Sequence, residues 1–145
     1  MQKNLIKALG LVVGIFASSL SSVNTSYAKF EDERREIIAL LDTAKTEVDK
    51  NKLRGKLVLV LGNEQKASTA YKILDELNSK LSKLEKKYKF GDFSTLGEDT
   101  VVIKSIIDAL PENRETLVAV LGNTGYDRLV LRLRAVIKTN VHGEN

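Results

Sequence analysis

A seam of regularly spaced apolar residues in the middle of the chain constrains its fold most. Between residues 67 and 88 the spacing alternates between three and four: Ala67, Ala70, Leu74, Leu77, Leu81, Leu84 and Tyr88. This alternation places all seven side chains on one face of a helix about three heptads long. The intervening residues are mostly charged or small and polar, as on a solvent-facing side. The pattern predicts a long helix packed in an antiparallel bundle.

Segments on both sides of this helix also have helical periodicity. The range Phe30–Val48 predicts a first helix, because apolar residues recur at spacings of four, three and four: Ile37, Leu41, Ala44 and Val48. After the seam, Thr95 and Glu98 have the spacing of a capping box and predict the start of another helix. Pro111 is expected to end that helix and open the next one. A last helix is predicted from about Gly125 to Lys138.

A short motif occurs twice. Residues 57–63 read LVLVLGN and residues 117–123 read LVAVLGN, a match at six of seven positions sixty residues apart. The first copy alone fits a strand or a helix, but the second follows helix-start signals at Pro111 and Glu112. Both are therefore predicted to be helical, with glycine ending one helix and asparagine capping the next. We predict a compact all-α bundle of about five to six helices in two pseudo-repeated halves, about 29–90 and 91–140.

The N-terminal segment is different in kind. Lys3 and Lys7 precede an apolar stretch from Ala8 to Leu20, and small residues flank Tyr27 before Lys29. The apolar stretch is too short to cross a bilayer but has the length of a signal-peptide core. We predict a Sec-type signal peptide at 1–28, a single helical domain at 29–145, and a periplasmic or secreted location. Two of the 23 basic residues lie in the signal, which leaves 21 against 19 acidic ones.

Composition excludes several kinds of chemistry. The 145 residues contain no cysteine and one histidine, His142. Disulfide scaffolds, cysteine-containing zinc sites, histidine-ligated metal clusters and Ser-His-Asp catalysis therefore lack their residues. We predict no metal and no cofactor.

Two other local patterns are interpreted as structural. Acidic residues cluster near two predicted helix starts, at Glu31, Asp32, Glu33 and Glu36 and at Asp92, Glu98 and Asp99. Neither group has the spacing of an EF-hand, so both are interpreted as solvated helix N-termini. The corner from Gly122 to Gly125 is glycine-rich but no Walker lysine follows it. We interpret it as a helix end followed by a cap at Asn123 or Thr124.

Basic residues are unevenly distributed and form the candidate interaction surface. They are Lys50, Lys52, Arg54, Lys56, Lys83, Lys86, Lys87, Lys89, Arg128, Arg132 and Arg134. Such clusters attract acidic partners. The expected partner is another protein with an acidic surface, and an anionic membrane surface or a cell-wall polymer is the alternative. Nucleic acid is not expected, because the net charge is small and no reading motif is present.

These observations predict an exported, non-enzymatic helical interaction protein. It would act as an accessory, adaptor or assembly factor that binds another envelope or secreted protein through charged helix faces. Two alternatives stay open: a small carboxylate-based hydrolase acting on an envelope polysaccharide, and a holdase-like periplasmic chaperone.

Overall fold

The computed structural model describes residues 30–143, which form five α-helices and no strand. The helices are α1 (Glu31–Thr43), α2 (Glu47–Leu61), α3 (Glu64–Lys89), α4 (Leu96–Glu112) and α5 (Arg114–Gly143). This confirms the predicted all-α class and compact bundle. The predicted signal peptide lies outside the described residues, and the two pseudo-repeated halves remain a prediction.

The predicted seam is the apolar face of α3. All seven of its residues are buried, from Ala67 to Tyr88. The face packs against α2 and α5, with smaller contacts to α1 and α4. Side chains from all five helices join this core, among them Ile37, Leu57, Ile106 and Leu133. Each helix buries its apolar stripe against at least two others, because none can bury that stripe alone.

The first predicted helix is interrupted. Instead of continuing to Val48, α1 ends at Thr43 and α2 begins at Glu47. The Thr46 hydroxyl accepts a hydrogen bond from the Asp49 backbone N–H at 3.2 Å, which caps α2. Val48 consequently points to solvent with 76% of its surface exposed. The apolar spacing in the sequence continues across the break between α1 and α2, and the Thr46 cap marks where α2 begins.

Two helix ends test the predicted boundary signals. At the first Gly-Asn corner, Gly62 has φ 70° and the Asn63 side chain accepts from the Lys66 N–H at 3.0 Å, as predicted. Pro111 was wrongly expected to open a helix, for it lies inside the last turn of α4. A proline there removes one backbone donor, and the turn still closes because the Asn113 N–H donates to the Ala109 carbonyl at 3.0 Å.

A sharp bend at Gly122 divides α5. Gly122 has φ 76° and ψ 172°, a conformation that is open to glycine and strained for other residues. The Arg114 guanidinium carbon lies 5.5 Å from the centre of the Tyr126 ring, although twelve residues of straight helix would span about 18 Å. The predicted cap does not form at Asn123, whose side-chain oxygen is buried without a hydrogen-bond partner in residues 30–143.

Just after the bend, α1 approaches α5 closely at Gly125. A Cβ atom at Gly125 would lie 2.6 Å from Leu121 Cβ and 3.0 Å from Ile38 Cδ1. Both distances are shorter than ordinary carbon contacts, so only glycine fits without displacement. The absence of a side chain at this position brings α1 against the bend of α5.

We expect Gly125→Ala to lower the free energy of unfolding by about 1 to 3 kcal/mol, because the new methyl overpacks the α1–α5 contact. Gly55→Ala is the matched control, since a Cβ at this exposed position within α2 meets nothing within 4 Å. That variant should be more stable by about 0.5 to 1 kcal/mol through helix propensity. Urea unfolding followed by circular dichroism measures both, and equal effects would contradict the close approach.

Candidate binding groove between α1 and α5

Arg34 lies buried where α1 crosses the bend of α5. Only 8% of its surface is exposed, and its Nε donates a hydrogen bond to the Ala119 carbonyl at 2.9 Å. In an unbroken helix that carbonyl would accept from the N–H four residues later. The bend at Gly122 falls within this span, so Arg34 supplies a donor to a carbonyl beside the break. The same arginine holds α1 against α5.

An open groove of about 780 Å³ runs beside this contact. Its apolar lining comes from α1 and from the residues before the bend: Ile38, Ala39, Leu121 and Gly122. Its polar lining is Glu31, Arg34, Arg35, Asp42, Asn123, Thr124 and Arg128. The groove therefore combines apolar patches with charged groups, a lining suited to a partner segment that carries both apolar and charged side chains.

The charges around the groove differ in how far they are already paired. Arg35 donates to Glu31 at 2.9 Å and to Asp32 at 3.4 Å, all within the first turns of α1. Arg128 comes from the second part of α5, is exposed, and makes no ion pair within residues 30–143. Arg128 is therefore the groove cation that is available to a carboxylate from outside.

Arg128 belongs to the predicted interaction surface, and the structure places the other ten residues elsewhere. Four lie on α2. Lys52 is exposed and Lys50 half-buried, while the Arg54 guanidinium stacks 4.3 Å from the Tyr71 ring centre. Lys56 forms an ion pair with Glu36, which raises the pKa of Lys56 and lowers the pKa of Glu36.

The predicted interaction residues on α3 and α5 also fall into two groups, one exposed to solvent and one already bound to other side chains. Lys83, Lys86, Lys89 and Arg134 are exposed. Arg132 donates to Glu85 at 2.7 Å and to Asn78 at 2.9 Å, so it fastens α5 to α3. Lys87 donates to the buried Asp99 at 3.1 Å.

The α2 and α3 groups do not form one continuous basic surface. Arg54 of α2 contacts Tyr71, which precedes Lys87 by sixteen residues on α3. At 1.5 Å per helical residue, about 24 Å of helix separates the Arg54 contact from Lys87. The basic residues therefore form separate small patches.

A buried polar network occupies the opposite end of the bundle from the bend. The Tyr88 hydroxyl donates to Asp99 at 2.9 Å and accepts from the Asn140 amide at 3.0 Å. Asp99 also accepts from Lys87 and from the Thr95 hydroxyl. Each helix end at this corner supplies a partner, so the network fixes the end of α3, the start of α4 and the end of α5 to one another.

This network changes the interpretation of one predicted acidic cluster. Asp99 is 4% exposed and accepts hydrogen bonds through both carboxylate oxygens. It is therefore not the solvated helix-start residue that its position indicated. The Thr95 hydroxyl makes no capping bond, and Glu98 does not complete a capping box. In the other cluster Glu31 and Asp32 are exposed as predicted. The sequence did not identify Arg34 or Asp99 as buried, although each lies one turn from an apolar residue of its helix.

Two tyrosines offer a test of buried hydroxyl pairing. Tyr126 is 1% exposed and its hydroxyl has no hydrogen-bond partner in residues 30–143, whereas the Tyr88 hydroxyl has two. We expect Tyr88→Phe to lower the free energy of unfolding by about 1 to 2 kcal/mol, since it leaves buried partners unsatisfied. Tyr126→Phe should cost nothing or be stabilising. A larger loss for Tyr126→Phe in urea unfolding would contradict this assignment.

The burial of Tyr126 also predicts that folding stability falls at alkaline pH. Burial raises its pKa from 10.0 to about 12. The unfolded chain therefore releases this proton at lower pH than the folded chain, and stability is lost as the pH rises from about 10 to about 12. Below that interval both states hold the proton and the contribution is constant. We expect wild type to lose stability relative to Tyr126→Phe between about pH 10 and about pH 12, and a constant difference would contradict this expectation.

None of the five helices in residues 30–143 has both the length and the apolar content needed to cross a bilayer. The same residues contain no group of three or more side chains of the histidine, cysteine, aspartate and glutamate types placed to hold a metal ion. No family model, curated protein or solved structure matches the chain.

Proposed function

We propose that the protein is an exported, non-enzymatic interaction factor that binds an acidic segment of another envelope or secreted protein. The observation that carries this proposal is the groove between α1 and α5, in which Arg128, an arginine with no ion pair within residues 30–143, lies beside an apolar surface. The proposal also rests on the predicted signal peptide, which places the partner outside the cytoplasm.

The groove favours a partner segment that combines a carboxylate with an apolar side chain. Arg128 can bind a carboxylate through two parallel N–H donors, a geometry that lysine does not offer. The half-buried Ile38 and the exposed Ala39 provide apolar surface beside it, and burying a partner's side chain there adds affinity that exposed charges alone do not supply. Asp42 also lines the groove, so it repels a second carboxylate at its own position and limits which acidic segments fit.

The other exposed cations support the same kind of partner in a different way. Lys52 on α2 and Arg134 on α5 are exposed and lie outside the groove lining. Exposed charges of this kind raise the rate of encounter with an acidic protein more than they raise affinity. We assign specificity to the groove and steering to Lys52 and Arg134.

Crosslinking from within the groove tests this function. A photo-crosslinking residue in place of Thr124, which is exposed and lines the groove, should capture one protein reproducibly when the tagged chain is expressed in its native host. The same residue in place of Ser79, exposed on α3, is the positional control. Mass spectrometry should identify an acidic peptide of the captured protein at the crosslink.

The charge requirement is tested on that captured pair. Arg128→Glu should weaken binding at least about tenfold, because it replaces the groove cation with a repelling carboxylate. Arg134→Glu makes the same charge change on the same helix outside the groove, and should slow association with little effect on dissociation. Biolayer interferometry at low and physiological salt separates the two rates. Equal losses for both variants, or no capture from position 124, would overturn the proposal.

A further inference from the structure

The corner between α3 and α4 presents aromatic side chains to solvent. Phe90 is 75% exposed and Phe93 is 41% exposed, and only two residues separate them. Single exposed apolar residues are common on soluble proteins, but two phenylalanines in one short loop at the end of a bundle are not explained by the core. We call residues 90–95 the α3–α4 tip.

The backbone holds the tip in one conformation. Phe90 is the C-cap residue that directly follows α3, and Gly91 comes next with φ 74°. The Gly91 N–H donates to the Tyr88 carbonyl and the Asp92 N–H donates to the Lys87 carbonyl, both at 3.0 Å. This pair of bonds is the Schellman motif, in which a left-handed glycine closes the helix end. Phe90 is consequently held outward by an ordered turn.

The buried network beneath the tip adds rigidity. The ring centres of Phe93 and Tyr88 lie 5.8 Å apart, and the Tyr88 hydroxyl is bound by Asp99 and Asn140. A Cβ on Gly143 would lie 3.2 Å from Phe93 Cδ1, so the end of α5 backs this ring. Phe93 is anchored on one side and exposed on the other, whereas Phe90 makes no such anchoring ring contact within residues 30–143.

Lysines surround the aromatic residues. Lys83, Lys86 and the C-cap residue Phe90 follow one another at spacings of three and four and so lie on one face at the end of α3. Both lysines are exposed, neither has an ion pair within residues 30–143, and Lys89 adds a third exposed cation in the last turn. Asp92 and Glu98 are also exposed, and their negative charges counteract the attraction of these lysines to an anionic surface. Hydrogen bonds from Ser94 lower the pKa of Asp92, so that this group is charged.

We propose that the α3–α4 tip is a peripheral membrane-binding surface that inserts Phe90 and Phe93 into an anionic phospholipid bilayer while Lys83, Lys86 and Lys89 contact its headgroups. Aromatic rings are stable at the boundary between headgroups and acyl chains, and each nearby lysine adds attraction to anionic lipid. A soluble acidic partner would explain the lysines but would leave an exposed, rigidly presented Phe90 without a role. The surface is separate from the groove and does not depend on the proposed function.

Vesicle binding tests the charge and aromatic contributions separately. The mature protein, purified after export, should co-sediment with phosphatidylcholine vesicles that contain phosphatidylglycerol, and only weakly with phosphatidylcholine alone. Phe90→Ala should weaken binding at least about tenfold, whereas Leu131→Ala, which truncates an apolar residue 60% exposed on α5, should not. Lys86→Ala should weaken binding about fivefold and Asp92→Asn should strengthen it about fivefold, with Lys52→Ala as the unaffected control.

A fluorescent reporter tests insertion directly. The chain has no tryptophan, so Phe90→Trp introduces a single emitter at the tip, and Leu131→Trp places one on α5 as a control. Emission from Phe90→Trp should shift to the blue on anionic vesicles and be quenched by brominated acyl chains, while Leu131→Trp should not respond. Absence of binding, or binding without a shift at position 90, would overturn the proposal. Binding to a soluble polyanion that Phe90→Ala leaves unchanged would assign these lysines to a polymer instead.

Discussion

The close contact between α1 and the bend of α5 is the constraint on which the candidate site depends. Gly122 turns the chain, Gly125 lets Ile38 approach, and Arg34 donates to the Ala119 carbonyl beside the break. These features put an apolar surface and the start of a helical segment next to the charged N-terminal turns of α1. The groove exists because two helices meet at a bend, and its shape is therefore coupled to the packing of the core.

The opposite end of the bundle is organised by polar groups. Tyr88, Asp99 and Asn140 come from α3, α4 and α5 and satisfy one another's hydrogen bonds out of solvent. Such a network is stable only when every member is paired, because an unpaired buried carboxylate is costly. It joins three helix ends into a rigid corner from which the loop with Phe90 and Phe93 projects. The two ends of the molecule thus differ in chemistry, with a charged groove at one and a basic aromatic tip at the other.

The sequence predicted best where one local rule acts over many residues. The α3 seam repeats for three heptads, and every residue in it is buried. The Gly62–Asn63 corner also formed as predicted, since the left-handed glycine and the asparagine cap need no distant partner. The predicted helix boundaries were wrong where two local signals conflicted. Apolar spacing continued to Val48 past the cap at Thr46, and Pro111 stayed within the last turn of α4.

The sequence by itself determined the helices and which face of each is apolar, because helical periodicity is a property of neighbouring residues. Only the tertiary structure decided which charged residues leave solvent. Arg34 meets a carbonyl 85 positions away, Arg132 meets Glu85 47 positions away, and Lys87 and Asp99 meet across a turn. A charged side chain can be buried only where a hydrogen-bonding or ionic partner is close to it, and the packing of the helices determines which partner that is. The same packing left Arg128, Lys86 and Phe90 exposed.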